Sequence, residues 1–153
     1  MLTTCYKNLR RELLAPDILA RIAKLEKVLK KLQTIRQRKI SEEDFLKDDD
    51  LQDIVERNLE VAVEVLIDIS NHIVGKRNYR KPENAADTFQ VLAEEGILEE
   101  NFARKLKGWV GLRNVIVHMY ADVNVSLLYR ALMVEQDDLR QAAKILCEIV
   151  STE

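Results

Sequence analysis

Residues 50–75, DLQDIVERNLEVAVEVLIDISNHIVG, are the stretch that decides the fold. When this stretch is stepped as a helix at about 100° per residue, its polar side carries Arg57, Glu60, Glu64, Asp68 and Asn71. Aliphatic residues occupy most of the remaining circumference. Because a helix that is apolar over so much of its surface must be covered by other elements, we predict that it is the longest helix and the centre of the domain.

Helix signals continue on both sides of this segment. Pro16 and Asp17 are a favourable helix start, and aliphatic residues follow them at three- and four-residue spacing. Ser41, with an acidic residue three positions later, has the capping-box arrangement of a helix start. Gly75 and Gly96 mark helix ends. The predicted helices are 16–38, 41–47, 50–75, 84–95, 98–119 and 124–151.

The composition also favours an all-α fold of about five to six helices. The 153 residues contain only four glycines and two prolines, whereas a strand-rich domain needs many more turn residues. The length suits one domain with a sizeable core. We predict that residues 16–152 form this domain and that residues 1–15 are an extension, to which the sequence gives no function.

Charge and cysteine content narrow the possible compartments and partners. The formal net charge of −2 predicts no strong attraction to nucleic acid over the whole surface, so any RNA contact has to be local. Cys5 and Cys147 stand far apart in no metal-binding pattern, which fits thiols in a reducing cytosol. No apolar run is long enough to span a bilayer, and no secretory signal is visible. A cytoplasmic protein is expected.

Two groups of residues have a simple structural interpretation. The four lysines of the first helix, Lys24, Lys27, Lys30 and Lys31, are most simply a solvated face, with an RNA-binding patch as the alternative. His72 follows Asp68 by four residues, which favours a packed histidine oriented by a carboxylate over a catalytic dyad. No HExxH motif, no paired DxD motif and no cysteine set is present, so no metal or cofactor is predicted.

Residues 113–120, RNVIVHMY, hold the chemistry. As a helix, this stretch places Leu112, Val115, Ile116 and Met119 on an apolar side predicted to face the core. The polar side is predicted to carry Arg113, Asn114, His118 and Tyr120. Arg113 and His118 lie about 140° apart on such a helix. They are therefore too far apart to bind one small group together. Either the helix distorts after Val117 or a second copy completes the site.

Arginine and histidine together suit a phosphodiester substrate. Imidazole moves protons near neutral pH, and guanidinium binds nonbridging phosphate oxygens in a forked geometry. RNA supplies its own nucleophile, the 2′-hydroxyl, so such a site needs no metal. The sequence shows no glycine-rich phosphate loop and no GxSxG elbow, which sets aside the enzymes that depend on them.

The pattern Arg-x4-His-x-Tyr, from Arg113 to Tyr120, resembles the signature of HEPN-superfamily ribonuclease toxins of the HepT type. Phe45 and residues 51–62, 68–73 and 89–98 are also in the style of that family, so that the resemblance covers roughly residues 16–150. It implies an up-and-down helical bundle that dimerises, with the two motifs facing each other across the interface.

The resemblance also implies roles for single residues. His118 would be the general acid/base, Arg113 would stabilise charge on the phosphorane, and Asn114 would orient the phosphate or the histidine. The usual partner in the family is an MntA-type nucleotidyltransferase antitoxin that adds AMP to the motif tyrosine, here Tyr120. Two alternatives stay open. One is a noncatalytic helical module that binds a nucleotidyltransferase or a nucleotide, and the other is a plain helical scaffold.

Overall fold

The computed structural model describes residues 16–118 and 123–152, and all regular structure in these ranges is helical. The all-α prediction is therefore confirmed. The elements are α1 (Pro16–Gln37), α2 (Glu42–Leu46), α3 (Asp49–Lys76), α4 (Ala85–Glu94), α5 (Glu100–His118), α6 (Val125–Arg130), a π-helical segment (Ala131–Glu135) and α7 (Asp137–Ser151). The bounds of α1 to α5 lie within two residues of those predicted. Residues 1–15, Met119 and Tyr120 lie outside the described part of the chain.

α3 is the central helix, as predicted. It contacts α1, α4, α5 and α7, and Val55, Leu59, Ala62 and Ile69 along its length are essentially inaccessible to solvent. Its polar side is held to α1 by an ion pair between Asp68 and Arg21. One tight packing centre thus fixes the positions of the surrounding helices, including the one that carries the motif.

Side-chain caps set most of the helix starts. Ser41 Oγ accepts a hydrogen bond from the Asp44 amide at 3.1 Å, and Asp48 Oδ1 accepts one from the Leu51 amide at 3.0 Å. The end of α3 differs from the prediction, because the helix runs through Gly75 to Lys76. The residue in the left-handed region is Asn78, with φ of 54°, a conformation that asparagine tolerates better than most residues.

The prediction of one continuous helix over 124–151 is wrong. The segment is divided into α6, the π-helical turn and α7, with Gln136 at the junction. Gln136 is fully buried, and its amide donates to the carbonyl oxygens of Leu32 (3.2 Å) and Leu132. Arg140 then donates to Gln136 Oε1 at 2.5 Å and to the Leu29 carbonyl at 2.8 Å. The π-helical turn is wider than a regular α-helical turn, and it brings Gln136 and Arg140 into contact with α1.

α1 and α7 are also joined at the surface. The Arg36 guanidinium donates to both carboxylate oxygens of Asp137, at 3.0 and 3.1 Å. This forked contact is the main reason that the pKa of Asp137 lies below its usual range. Burial lowers the pKa of the neighbouring Arg140. The end of α1 is therefore fixed to the start of α7, close to the helix that carries the motif.

Candidate active site

The described part of the motif, residues 113–118, lies in the last two turns of α5, where the helix leaves the core. The first half of α5 is anchored by Phe102, Leu106, Trp109 and Val110, all of them buried. Trp109 also donates its indole N–H to Asp138 Oδ2 of α7, at 3.3 Å. From Gly111 to His118 no residue is buried. The buried first half of α5 therefore fixes the position of the second half, which carries the motif residues.

Arg113 lies on the core side of α5, which corrects its predicted place on the polar side. It follows Leu106, Trp109 and Val110 by seven, four and three residues, the spacings that keep side chains on one helix face. Arg113 is half-buried, and its Nε is fully buried without a hydrogen-bond partner among the described residues. A buried donor without a partner is uncommon in folded proteins, and a bound ligand or a second chain is one way to satisfy it.

Asn114 and His118 lie on a different side of the same helix. Both are exposed, and as i,i+4 neighbours they form one polar surface. α5 is regular through His118, so no distortion after Val117 turns the histidine toward Arg113 in the described part of the chain. The structure therefore brings Asn114 and His118 together and leaves Arg113 about 140° around the helix from His118.

The prediction that the aliphatic side of the motif faces the core is wrong for most of its described members. Leu112 packs against the edge of the core, but Val115 and Ile116 are only partly buried and do not belong to it. The reason is that Trp109 and Val110 set the core direction of α5. Val115 lies about 170° away from that direction. An aliphatic residue in this position is available to another surface.

Around this aliphatic group lies an apolar surface that we call the glycine face. It consists of Gly108, Gly111, Leu112 and Val115 of α5 with Leu127 and Val134 of the following segment. Leu127 and Val134 are 56% and 65% exposed, unusual values for large aliphatic side chains. A Cβ atom placed on either glycine would have no neighbour within 4 Å among the described residues. Exposed apolar patches of this kind mark interaction surfaces.

A groove runs along one edge of the glycine face. Its volume is about 520 Å³, and its floor includes Trp109, Leu112 and Ala131. Lys105, Glu135 and Asp138 give it a polar rim. Sequence reasoning misses this groove, because Leu127 and Val134 lie beside the apolar period of the last helix and a single aliphatic residue carries no signal of its exposure. The π-helical turn that precedes α7 has no simple sequence signal either.

The structure also bears on the expectations for metal ligands, for Tyr120 and for membrane-spanning helices. Among residues 16–118 and 123–152, no group of three or more histidine, cysteine or carboxylate side chains is placed to hold a metal ion. Tyr120, the expected modification site, lies outside the described residues. None of the helices in the described ranges combines the length and apolar character that a bilayer crossing requires.

Comparison with known proteins identifies the fold and the activity. The family model described as "Ribonuclease HepT-like" matches residues 18–146. The chain belongs to the HepT-like ribonuclease family. This confirms the resemblance seen in the motif. The match includes the whole of α2 to α6 and most of α1 and α7, so the described helices are those of a HepT-like ribonuclease.

Within this family, the chain is similar to two curated nucleases and to one solved toxin structure. It is 30% identical over 129 residues to the mRNA nuclease HepT of Shewanella oneidensis, covering 84% of this chain and 95% of that protein. It is 32% identical over 93 residues to the tRNA nuclease HepT of Aphanizomenon flos-aquae, covering 61% and 63%. The structure of the tri-AMPylated Shewanella oneidensis HEPN toxin in complex with MNT antitoxin has a TM-score of 0.77, with 28% identity and coverage of 87% and 98%.

Proposed function

We propose that this HepT-like ribonuclease is the toxin of a HepT/MntA-type toxin–antitoxin pair, and that it cuts RNA without a metal at a dimer interface. The observation that carries the proposal is the arrangement of α5. Its exposed end presents Asn114 and His118 on one side, Arg113 on another and the apolar glycine face on a third. The domain that does this comprises residues 16–152, with residues 1–15 as an extension.

The chemistry follows from the side chains. We assign His118 as the general base that takes the proton of the RNA 2′-hydroxyl while its oxygen attacks the adjacent phosphorus. The bond from phosphorus to the 5′-oxygen breaks, and that oxygen leaves with a proton supplied by an imidazolium. The products are a 2′,3′-cyclic phosphate and a free 5′-hydroxyl. Arg113 neutralises the nonbridging oxygens as negative charge grows on them, and Asn114 orients the phosphate or the histidine.

A dimer brings together the groups that one chain keeps apart. In one copy, Arg113 and His118 lie on different sides of α5. If the glycine face packs on its equivalent in a second copy, each motif lies against the other across a two-fold axis. Glycine lets two helices approach closely, and the aliphatic residues of the face supply the apolar area that a stable interface needs. Arg113 lies about 150° around α5 from the glycine face, so in this dimer it acts with His118 of the other copy by extending its long side chain around the end of the helix toward the two-fold axis.

We place the control of the enzyme at Tyr120. This residue is the last of the Arg-x4-His-x-Tyr motif and follows His118 by two positions in the sequence, and we propose that a group attached to its phenol would obstruct the site. The related Shewanella toxin was solved in an AMPylated form with its MNT antitoxin. On this chain, AMP on Tyr120 would add negative charge and bulk where RNA phosphate has to bind. The partner that adds it is an MntA-type nucleotidyltransferase.

The test is RNA cleavage by the purified chain in EDTA. The wild type is expected to leave 2′,3′-cyclic phosphate ends, and Arg113→Ala and His118→Ala are expected to lose activity by about 100-fold or more, on the order of a lost acid/base or charge-stabilising group. Arg57→Ala is the control, since Arg57 is an exposed arginine of α3 and lies outside both the motif helix and the glycine face. Cleavage that persists in both motif variants would refute the assignment.

Mixing the two inactive variants tests whether the site is shared. Subunit exchange gives dimers in which one site carries both substitutions and the other carries neither, provided that Arg113 acts with His118 of the other copy. About a quarter of the wild-type activity is then expected, because half of the dimers are mixed and each has one intact site. A mixture that stays inactive would show that each site uses one chain alone. A wild type that leaves RNA intact but binds the nucleotidyltransferase would favour the noncatalytic module.

A further inference from the structure

A cationic groove between α1 and the start of α3 is not used by the proposed active site. Its volume is about 300 Å³. The lining residues are Lys27, Lys30, Lys31, Thr34, Ile35 and Arg38 from α1 and the residues just after it, with Leu51 and Ile54 from α3. Lys24 lies one turn before Lys27 and is also exposed. The positive charge of the groove thus continues along α1 toward the start of the helix.

The cations of this groove form one row. On a helix stepped at about 100° per residue, Lys24, Lys27, Lys31 and Arg38 fall within about 60° of one another. Neighbours one turn apart in such a row are about 5–6 Å from each other. We call Lys24, Lys27, Lys30, Lys31 and Arg38 the α1 cationic face. All five side chains are exposed, and among the described residues none of them forms an ion pair.

The absence of ion pairs on this face contrasts with other cations of the described chain. Arg21 pairs with Asp68, Arg36 with Asp137, and Arg80 with Asp87 and Glu94. The whole chain carries a formal charge of −2. Five positive charges without ion pairs, on α1 and the residue just after it, are therefore a local concentration against the overall sign, although the exposed carboxylates Asp50 and Asp53 adjoin Leu51 and Ile54 on the α3 side of the groove. Such a concentration suits a ligand with regularly repeated negative charge.

The shape of the groove favours a nucleic-acid backbone over a docked protein helix. An amphipathic helix needs an exposed apolar row to pack on. Ile35 and Leu51 are only 3% and 5% exposed, so that Ile54, at 39%, is the one accessible apolar side chain of the described lining. No aromatic side chain of residues 16–118 or 123–152 lines the groove, so these residues offer no platform on which a base could stack. The ammonium and guanidinium groups at the ends of the side chains are available to phosphate, while the surface between them is mainly apolar and consists of lysine stems and Ile54.

The side of α1 that is connected to the motif helix is the one opposite the α1 cationic face, because Arg36 lies about 120–180° around the helix from the members of that face. Arg36, between the lysines and Arg38, binds Asp137, and the next residue, Asp138, accepts the hydrogen bond of Trp109 in α5. Two consecutive residues of α7 thus join the end of α1 to the middle of α5. We propose that the α1 cationic face binds the phosphate backbone of RNA independently of base sequence. The inference rests on the proposed function, since the RNA it holds is the substrate of that site.

Equilibrium binding of a labelled single-stranded RNA, followed by fluorescence anisotropy over a range of salt concentrations, tests this. The full chain carries His118→Ala so that the RNA stays intact, and the test variant adds Lys27→Gln, Lys30→Gln and Lys31→Gln. Each lost phosphate contact lowers the salt exponent by about 0.7 for a single strand, so three should lower it by about 2. At about 0.1 M salt the same loss corresponds to roughly 100-fold weaker binding.

A second triple variant separates this site from net charge. Lys76→Gln, Lys81→Gln and Lys144→Gln remove the same charge from exposed positions on α3, the loop before α4 and α7. The affinity of this control should stay within about three-fold of the parent, and its salt exponent within about 0.7 of the parent value. Equal weakening in both triple variants would overturn the inference, because net charge alone would then govern binding. Unchanged binding in the α1 variant would overturn it as well.

Two further outcomes distinguish the possible failures. If the α1 variant keeps its RNA affinity but no longer copurifies with a coexpressed nucleotidyltransferase, the face binds an acidic protein and the inference is wrong. If the wild-type chain binds RNA through α1 and leaves it uncut, the inference stands and the proposed nuclease function fails. Thermal unfolding of both triple variants should match that of the parent, because all six lysines are exposed.

Discussion

Replacing Gly108 and Gly111 by alanine should stabilise the single chain and weaken its dimer. Both glycines lie inside α5, where alanine is the better helix former by about 1 kcal/mol. Neither has a positive φ, and a Cβ atom built on either finds no described neighbour within 4 Å. The described part of a single chain thus gives no steric reason for glycine at these two positions. The reason we propose is the second copy of α5.

The effect on monomer stability and the effect on dimer dissociation can be measured separately. Each substitution should raise the free energy of unfolding of the monomer by about 1 kcal/mol, or the melting temperature by about 2–4 °C for a domain of this size. At a closely packed helix–helix contact, the same methyl group costs about 1–3 kcal/mol. The dissociation constant of the dimer should therefore rise by roughly 5- to 150-fold. Gly75→Ala is the matched control, because its Cβ is equally unhindered but lies away from the glycine face.

Sedimentation equilibrium gives the dimer constant, and urea unfolding at a concentration well below that constant gives the monomer stability. RNA cleavage measured across the same concentration range should shift with the dimer constant. If Gly108→Ala and Gly111→Ala leave both the dimer constant and cleavage unchanged, the glycine face is not the interface. If either variant destabilises the monomer, the space above the glycines is filled by the chain itself and the argument fails at its first step.

Two further predictions concern the scaffold. Gln136→Ala should lower the free energy of unfolding by about 2–3 kcal/mol, because it removes a fully buried amide with its hydrogen bonds and takes one acceptor from Arg140. Exposed Gln141→Ala, the control, should stay within about 0.5 kcal/mol of the wild type in the same urea titration. Arg80 binds Asp87 in a fork at 2.7 and 2.9 Å and lowers the pKa of that carboxyl from 3.8 to about 2. Since the folded pKa is the lower one, this stabilisation is present above about pH 4 and is lost as the pH falls toward about 2. Arg80→Gln should therefore show a smaller loss of stability than the wild type over that range in acid unfolding followed by circular dichroism; equal losses would contradict the assignment.

The helices of this chain can be predicted because their signals are local. The apolar pattern of α3 is so broad that only a central helix satisfies it, and Ser41 and Asp48 cap their helices as their side-chain chemistry dictates. The π-helical turn escapes prediction for the opposite reason. Its cause is the contact of Gln136 with the Leu32 carbonyl of α1, more than 100 residues away in the chain. The helical spacing of apolar residues continues through 131–135, so the sequence pattern predicts an uninterrupted α-helix there.

The motif can be found in the sequence, but its orientation cannot. The polarity of Arg113 predicts a place on the solvent side, whereas the face of α5 that enters the core is chosen by Trp109 and Val110. The aliphatic side chain of Val115 predicts a place in the core, yet it lies nearly opposite to that face. Periodicity gives the angles between side chains of one helix. It does not give the direction of the core, which depends on the helices packed against it.

Catalysis and binding place different demands on such a surface. A site made of one arginine, one amide and one histidine offers little positive charge with which to hold a polyanion, and the chain as a whole repels RNA weakly. Phosphate affinity must therefore come from elsewhere on the protein, and it must be local. The α1 cationic face is local and without ion pairs among the described residues, and it lies on a helix whose opposite side is joined to α5 through Asp137 and Asp138. Holding RNA on α1 would leave Arg113 and His118 to act only where charge develops during cleavage, which is where electrostatic stabilisation accelerates a reaction.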